Sequence, residues 1–220
     1  TEAAIAREKS GIIKAGKVAV VREQVPSALA VIEERCRAVG ATLRLEGRDW
    51  ALQRVATAVG GQSITVRGIH GTYEDLLLSL FGGFAGANAA AAIVAVESLL
   101  GRGLDDDALR EALATATSPG RLEVVGRRPL IVLDGAHNPA AARALAEALP
   151  ETFAWERLHL VIAAFADKDT AGVVDALAPL VDVTYAAANG NPRSRAADCI
   201  LVTGSLYTVA DARRALEGTP

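Results

Sequence analysis

The stretch LIVLDGAHNP, Leu130–Pro139, decides the fold. Four consecutive apolar residues run into an aspartate and a glycine, and an Asn-Pro pair follows. A short apolar run bounded by turn residues reads as a strand covered on both faces. Asn at an N-cap with Pro at the first helical position starts a helix, expected over 140–149. The alternation continues downstream. Strands are expected over 158–164, 181–186 and 199–202, and helices over 170–180 and 209–216. Apolar strands alternating with amphipathic helices predict a parallel α/β sheet covered on both faces. Ligands bind outside the carboxyl ends of such strands. Asp134 therefore marks the first place to look for a site.

Upstream of Ser118-Pro119-Gly120 the pattern is less regular. Residues 1–13 read as a helix without a preceding cap, and Lys17–Arg22 as a short strand. Pro26 opens a helix that stops at Gly40, and 42–45 is again extended. Residues 52–59 and 63–69 flank Gly60-Gly61 as a β-hairpin, in which both glycines supply positive φ. A strand is expected over 76–80, an Ala-rich helix over 86–100, and a helix from Asp105 to about Thr117. The boundary near Pro119 gives two domains, 1–118 and 119–220.

Composition narrows the function. The 220 residues carry 23 Lys+Arg and 26 Asp+Glu, a net charge of −3, so there is no basic footprint for a nucleic-acid partner. The hydrophobic fraction of 51% against 22% charged excludes a disordered chain. Cys36 and Cys199 have no metal spacing and suit a reducing, cytoplasmic setting. No continuous apolar run reaches the roughly 18 residues a membrane span needs, so no membrane partner is expected.

Five motifs could carry chemistry. At Asp134–Pro139 the carboxylate can accept from ribose hydroxyls, Gly135 lets backbone approach a ligand, and His137 can donate to a phosphate oxygen. The helix start behind them favours an anion. Ordinary turn and capping chemistry would use the same residues. Arg121, in PGRLE 119–123, offers a fork of donors suited to a phosphate chain, or is a surface arginine at a strand start. Lys9, in IAREKSGIIK 5–14, would by itself be a solvated helix charge. Asn88 opens an Ala-rich helix and either bonds backbone or faces a ligand. Asp167-Lys168-Asp169 lies on the sheet edge expected to carry Asp134.

In this order, the motifs IAxEKxGIIKxG (5–16), NAA (88–90), PGRLE (119–123), LDGAHNP (133–139), DKD (167–169) and LVTGSLY (201–207) resemble the folylpolyglutamate synthase/dihydrofolate synthase family of the Mur ligase superfamily. The resemblance implies an α/β fold: the C-terminal part of a Mur-ligase-type central ATPase domain, then a Rossmann-like C-terminal domain. It implies an ATP-dependent ligase that joins L-glutamate to folate or dihydropteroate through an acyl phosphate, as a cytoplasmic monomer. ATP and Mg²⁺ are the implied cofactors. Lys9 matches a carbamylated lysine at the magnesium site, and Asn88 a residue near the adenine. Arg121 and His137 match residues directed at the phosphates, and Asp134 the ribose-side carboxylate. Lys9 and His137 are the implied catalytic residues.

The chain departs from the family pattern in three places. The Gly-Lys-Ser phosphate loop and the upstream magnesium ligands are not among these residues, so the chain reads as N-terminally truncated and inactive alone. Phe84-Ala85 stands where the family has His-Gln. A stretch expected between Ser194 and Cys199 is short, which reads as an internal deletion. Two other readings fit the alternating pattern: a non-catalytic nucleotide-binding module, and a dinucleotide-dependent oxidoreductase, although no GxGxxG follows any expected strand.

Overall fold

The computed structural model describes residues 1–163 and 168–186. Asp167, the expected strand at 199–202, the helix at 209–216 and the deletion near Ser194 lie outside the described residues. The chain divides into two compact units. One comprises Thr1–Ser79 with Ala85–Ala116, the other Leu80–Phe84 with Thr117–Pro220.

The first unit begins with α1 (Glu2–Lys9), whose N-cap is Thr1, with Oγ1 accepting from the Ala4 amide at 3.3 Å. A 3₁₀ turn, Ser10–Ile12, replaces the last turn of the longer helix expected there. Strand β1 (Val18–Val21), helix α2 (Pro26–Val39) and strand β2 (Thr42–Leu45) form a βαβ unit with β1 and β2 parallel. Gly40 ends α2 in the left-handed conformation at φ 63°.

An antiparallel sheet follows in the order β3 (Ala51–Ala58), β4 (Gly61–Arg67), β5 (Thr72–Leu78). Strand β5 begins earlier than the apolar run suggests. Ile64 pairs with Leu76 but Val66 pairs with Tyr73, so β5 carries one extra residue, and Asp75 sits at φ 49°. That bulge breaks the inside–outside alternation by which a strand is recognised.

Helix α3 (Gly83–Leu100) starts before Gly86 and, at 18 residues, is long and apolar enough to cross a membrane by length and composition. Asn88, Glu97 and Ser98 interrupt it, so it is not a continuous apolar run. Its face of small residues is buried: Gly86 lies where a Cβ would meet Gln62, Ile64 and Val55. Helix α4 (Asp106–Ala114) is capped by Asp105.

In the second unit, β6 (Glu123–Arg127) and β7 (Leu130–Leu133) form an antiparallel pair, Glu123 opposite Leu133. Among the described residues, 130–133 thus pairs antiparallel, not in the parallel arrangement expected. The bulge between Val124 and Gly126 hides β6 from a pattern of alternation. Helix α5 (Pro139–Thr152), strand β8 (His159–Ile162), helix α6 (Thr170–Leu177) and strand β9 (Val183–Ala186) complete the unit, with β8 and β9 parallel as the alternation predicts. Its core gathers Leu122, Ala136, Ala142, Leu145, Ala148, Ile162, Val173 and Leu177. Phe81 and Phe153 pack edge to face against it, 5.4 Å between ring centres.

Candidate functional site

Two motifs that the sequence presents separately meet in the second unit. The Gly135 amide donates to the Gly120 carbonyl at 2.8 Å. The Gly120 amide in turn donates to Glu123 Oε2 at 2.8 Å, which holds the 119–123 turn closed. Asp134 joins the two turns. Its Oδ2 accepts from the Leu122 amide at 2.9 Å and its Oδ1 from the Ala136 amide at 2.8 Å.

Leu122 is the strained element. It sits at φ 44°, a region that a branched residue rarely enters, yet its side chain is buried in the core. The Asp134 bond and the core contacts together hold it there. Burial pushes the Asp134 carboxyl above its ordinary value; the two amide bonds and the nearby Arg121 charge only partly offset this.

Arg121 is exposed, and its guanidinium lies against Gly135, with Nη1 2.8 Å from where a Cβ on Gly135 would stand. His137 is exposed too, and its Nδ1 lies 2.9 Å from the Gly135 carbonyl. A carbonyl can only accept, so this bond requires the proton on Nδ1. The outward Nε2 is then an acceptor in the neutral ring and a donor in the imidazolium. Asn138 caps α5, accepting from the Ala141 amide at 2.9 Å, so the first turn of α5 begins beside these groups. Asp169 caps α6 in the same way through the Gly172 amide at 2.9 Å, and a Cβ on Gly172 would meet Pro139. Asp169 thus has a structural task beside the turn.

The arrangement presents an exposed guanidinium and an exposed imidazole on a turn fixed by four backbone amides. That chemistry suits a polyanion. Asp134, Arg121 and His137 are brought together. What sequence reasoning missed is the role of Leu122 in joining the two turns and of Glu123 in closing the first. Positive φ at a leucine leaves no signal in composition or periodicity.

Lys9 and Asn88 belong to the first unit. Lys9 is exposed at the end of α1, with Nζ 3.4 Å from Glu8 Oε1. It lines a largely apolar groove of about 760 Å³ together with Lys14, Lys17 and residues of β1 and α2. As a carbamate it would present oxygens, the ligand type magnesium prefers. Among the described residues, however, no three His, Cys, Asp or Glu side chains gather to hold a metal, so these residues alone do not make a magnesium site. Asn88 lies in the second turn of α3 and is exposed rather than buried, free of the packing that would demand internal partners.

Comparison with known proteins fits this geometry. The family described as "Mur ligase, glutamate ligase domain" matches residues 120–217. A dihydrofolate synthase/folylpolyglutamate synthase of Mycobacterium tuberculosis is 39% identical over 87% of this chain and 42% of its own length. One from Bacillus subtilis is 29% identical over 97% of this chain and 58% of its own length. The chain thus spans about half the length of the curated relatives it matches. The M. tuberculosis folylpolyglutamate synthase complexed with ADP superposes with a TM-score of 0.84 at 35% identity, over 97% of this chain and 52% of that one. A structure described as an FPGS–AMPPCP–folate complex gives 0.85 at 31% identity, over 98% and 57%.

Proposed function

The chain belongs to the folylpolyglutamate synthase/dihydrofolate synthase family of Mur ligases, and on that premise we propose that it is a portion of an ATP-dependent ligase joining L-glutamate to folate or dihydropteroate. The observation that carries the reading is the exposed Arg121–His137 pair on the turn held by Asp134. Residues 1–118 would belong to the central ATPase domain and 119–220 to the C-terminal ligase domain.

The pterin substrate's carboxylate oxygen attacks the γ-phosphorus of ATP, and ADP leaves. The glutamate amine then attacks the acyl carbon, phosphate departs, and the nitrogen loses a proton. Both steps move negative charge on phosphoryl oxygens, which fixed cationic donors stabilise. Arg121 offers two or more N–H donors to the phosphate chain, and His137, when protonated, can donate from Nε2. Each Asp134 oxygen has a second lone pair left for a ribose hydroxyl. By the family resemblance, Asn88 would lie on the adenine side, and Lys9, as a carbamate, would supply one oxygen ligand to magnesium. The parent works as a monomer in the cytoplasm, without nucleic-acid or membrane partners.

Two measurements test this. Calorimetric titration with ADP, AMPPCP and NAD should show binding of the adenine phosphates that weakens in Arg121→Ala and His137→Ala. Equal affinity in the variants overturns the phosphate role. ATP-dependent incorporation of labelled glutamate should be absent with this chain alone, and turnover by it would refute the expected inactivity.

A further inference from the structure

We propose that Gly135 and Asp134 are positioning residues for Arg121: the missing side chain at 135 is the berth in which the guanidinium lies, and the Asp134 carboxylate fastens the two turns that form it. The inference rests on the reading of Arg121 as a phosphate-binding residue.

The geometry is specific. Arginine side chains on an exposed turn sample many rotamers, and holding one of them costs entropy. Here Nη1 stands 2.8 Å and Cζ 3.7 Å from the position a Gly135 Cβ would take, so any side chain at 135 displaces the guanidinium. Nothing else at 135 demands glycine. The residue is not at positive φ, and the next nearest atom, the Gly120 carbonyl oxygen, is 3.4 Å from that Cβ. An alanine therefore fits the backbone and evicts only the far end of a flexible side chain. That separates an aiming role from a folding role.

Asp134 supplies the other half. Arg121 is flanked by Gly120, whose carbonyl accepts from Gly135, and by Leu122, whose amide donates to Asp134. Both neighbours of Arg121 are thus tied to the 134–136 turn, and the base of its side chain has little freedom of direction. An asparagine at 134 keeps the shape but can accept with only one of its two terminal atoms, so one of the two amides is left facing an N–H donor. Preorganisation of this kind raises affinity by removing an ordering cost rather than by adding a contact.

The test uses this chain and does not depend on turnover. The Nε–H resonance of Arg121, assigned by its loss in Arg121→Ala, is followed by ¹⁵N relaxation. In the wild type its heteronuclear NOE should match the rigid backbone. In Gly135→Ala it should fall to values of a free side chain, with Tm unchanged and amide shifts confined to residues near 121 and 135. Asp134→Asn should loosen it as well. An Arg121 that is already mobile in the wild type, or that stays ordered in Gly135→Ala, overturns the proposal. ADP binding is the second arm. Gly135→Ala and Arg121→Ala should each weaken it about tenfold, and the double variant no further. If Gly135→Ala frees Arg121 but neither variant changes ADP affinity, the berth stands and the phosphate-binding reading falls.

Discussion

The Tyr73 hydroxyl lies 2.8 Å from Glu97 Oε1, between a carboxylate that is fully buried in α3 and the Leu104 amide, which donates to the same hydroxyl at 2.8 Å. Glu97 also accepts from the Ile69 amide at 2.7 Å and the His70 amide at 3.1 Å. A glutamate that interrupts an apolar helix in the sequence is therefore the acceptor that pins the β4–β5 turn. Burial, reinforced by the neighbouring carboxylate, raises the Tyr73 phenol above its ordinary range against the opposing Leu104 bond.

Stability should depend on this network. Glu97→Ala leaves the buried Tyr73 hydroxyl and two part-buried amides, Ile69 and His70, without their acceptor and should cost on the order of 3 kcal/mol. Glu97→Gln keeps one accepting oxygen and should cost about 1–3 kcal/mol. Tyr73→Phe strands one donor and one acceptor and should fall in the same range. Urea unfolding measures all three. A neutral Glu97→Ala would show the donors to be satisfied elsewhere.

Asp49 and Asp134 should respond to pH in opposite directions. Burial pushes Asp49 up, but the Leu45 amide at 2.7 Å and Arg48 at 3.0 Å outweigh it and hold the group below its ordinary 3.8. Its contribution is present above 3.8 and is lost as pH falls through the folded-state value. Asp134 is raised, so its contribution is present below 3.8 and is lost as pH rises through the folded-state value. The stability difference between wild type and Asp49→Asn should therefore shrink in acid below 3.8. The difference between wild type and Asp134→Asn should shrink as pH rises above 3.8. Parallel trends would contradict the environments described.

Capping and ligand binding at the start of α5 should separate at Asn138. Asn138→Ala removes the acceptor for the Ala141 amide and should cost about 1 kcal/mol in urea unfolding. Asn138→Asp keeps the cap and suits the helix dipole. It also places a negative charge beside the proposed phosphate site, so Tm should hold while ADP binding weakens. Unchanged ADP affinity in Asn138→Asp would put the phosphates away from this turn.

Much of this was legible in the sequence, for physical reasons. Helix α2 lies between a proline at its first position and a left-handed glycine, Pro26 and Gly40, and both are local signals. The motif LDGAHNP marked the turn at Asp134, since strand end, glycine and capping pair are all local. What escaped depends on long-range geometry. Strand β6 and the start of β5 are hidden by bulges that break alternation. The meeting of Gly120 with Gly135 joins residues 15 apart through a hydrogen bond that no spacing predicts. The burial of Glu97 leaves no local signal either, because it is decided by donors on other elements.

The glycine pair at 60–61 shows the same division and yields the sharpest contrast. The sequence treats both as turn glycines. Only Gly60 has positive φ, at 83°, with open space where a Cβ would stand. Alanine there should cost about 1 kcal/mol of backbone strain. Gly61 is the first residue of β4, and a Cβ on it would run into the Leu78 backbone carbonyl of β5. Backbone cannot swing aside as a side chain can, so Gly61→Ala must force the paired strands β4 and β5 apart. It should cost on the order of 3 kcal/mol or more. Thermal unfolding of the two single variants should rank Gly61→Ala well below Gly60→Ala. The reverse order would mean that β4 and β5 are not in the register Gln62–Leu78.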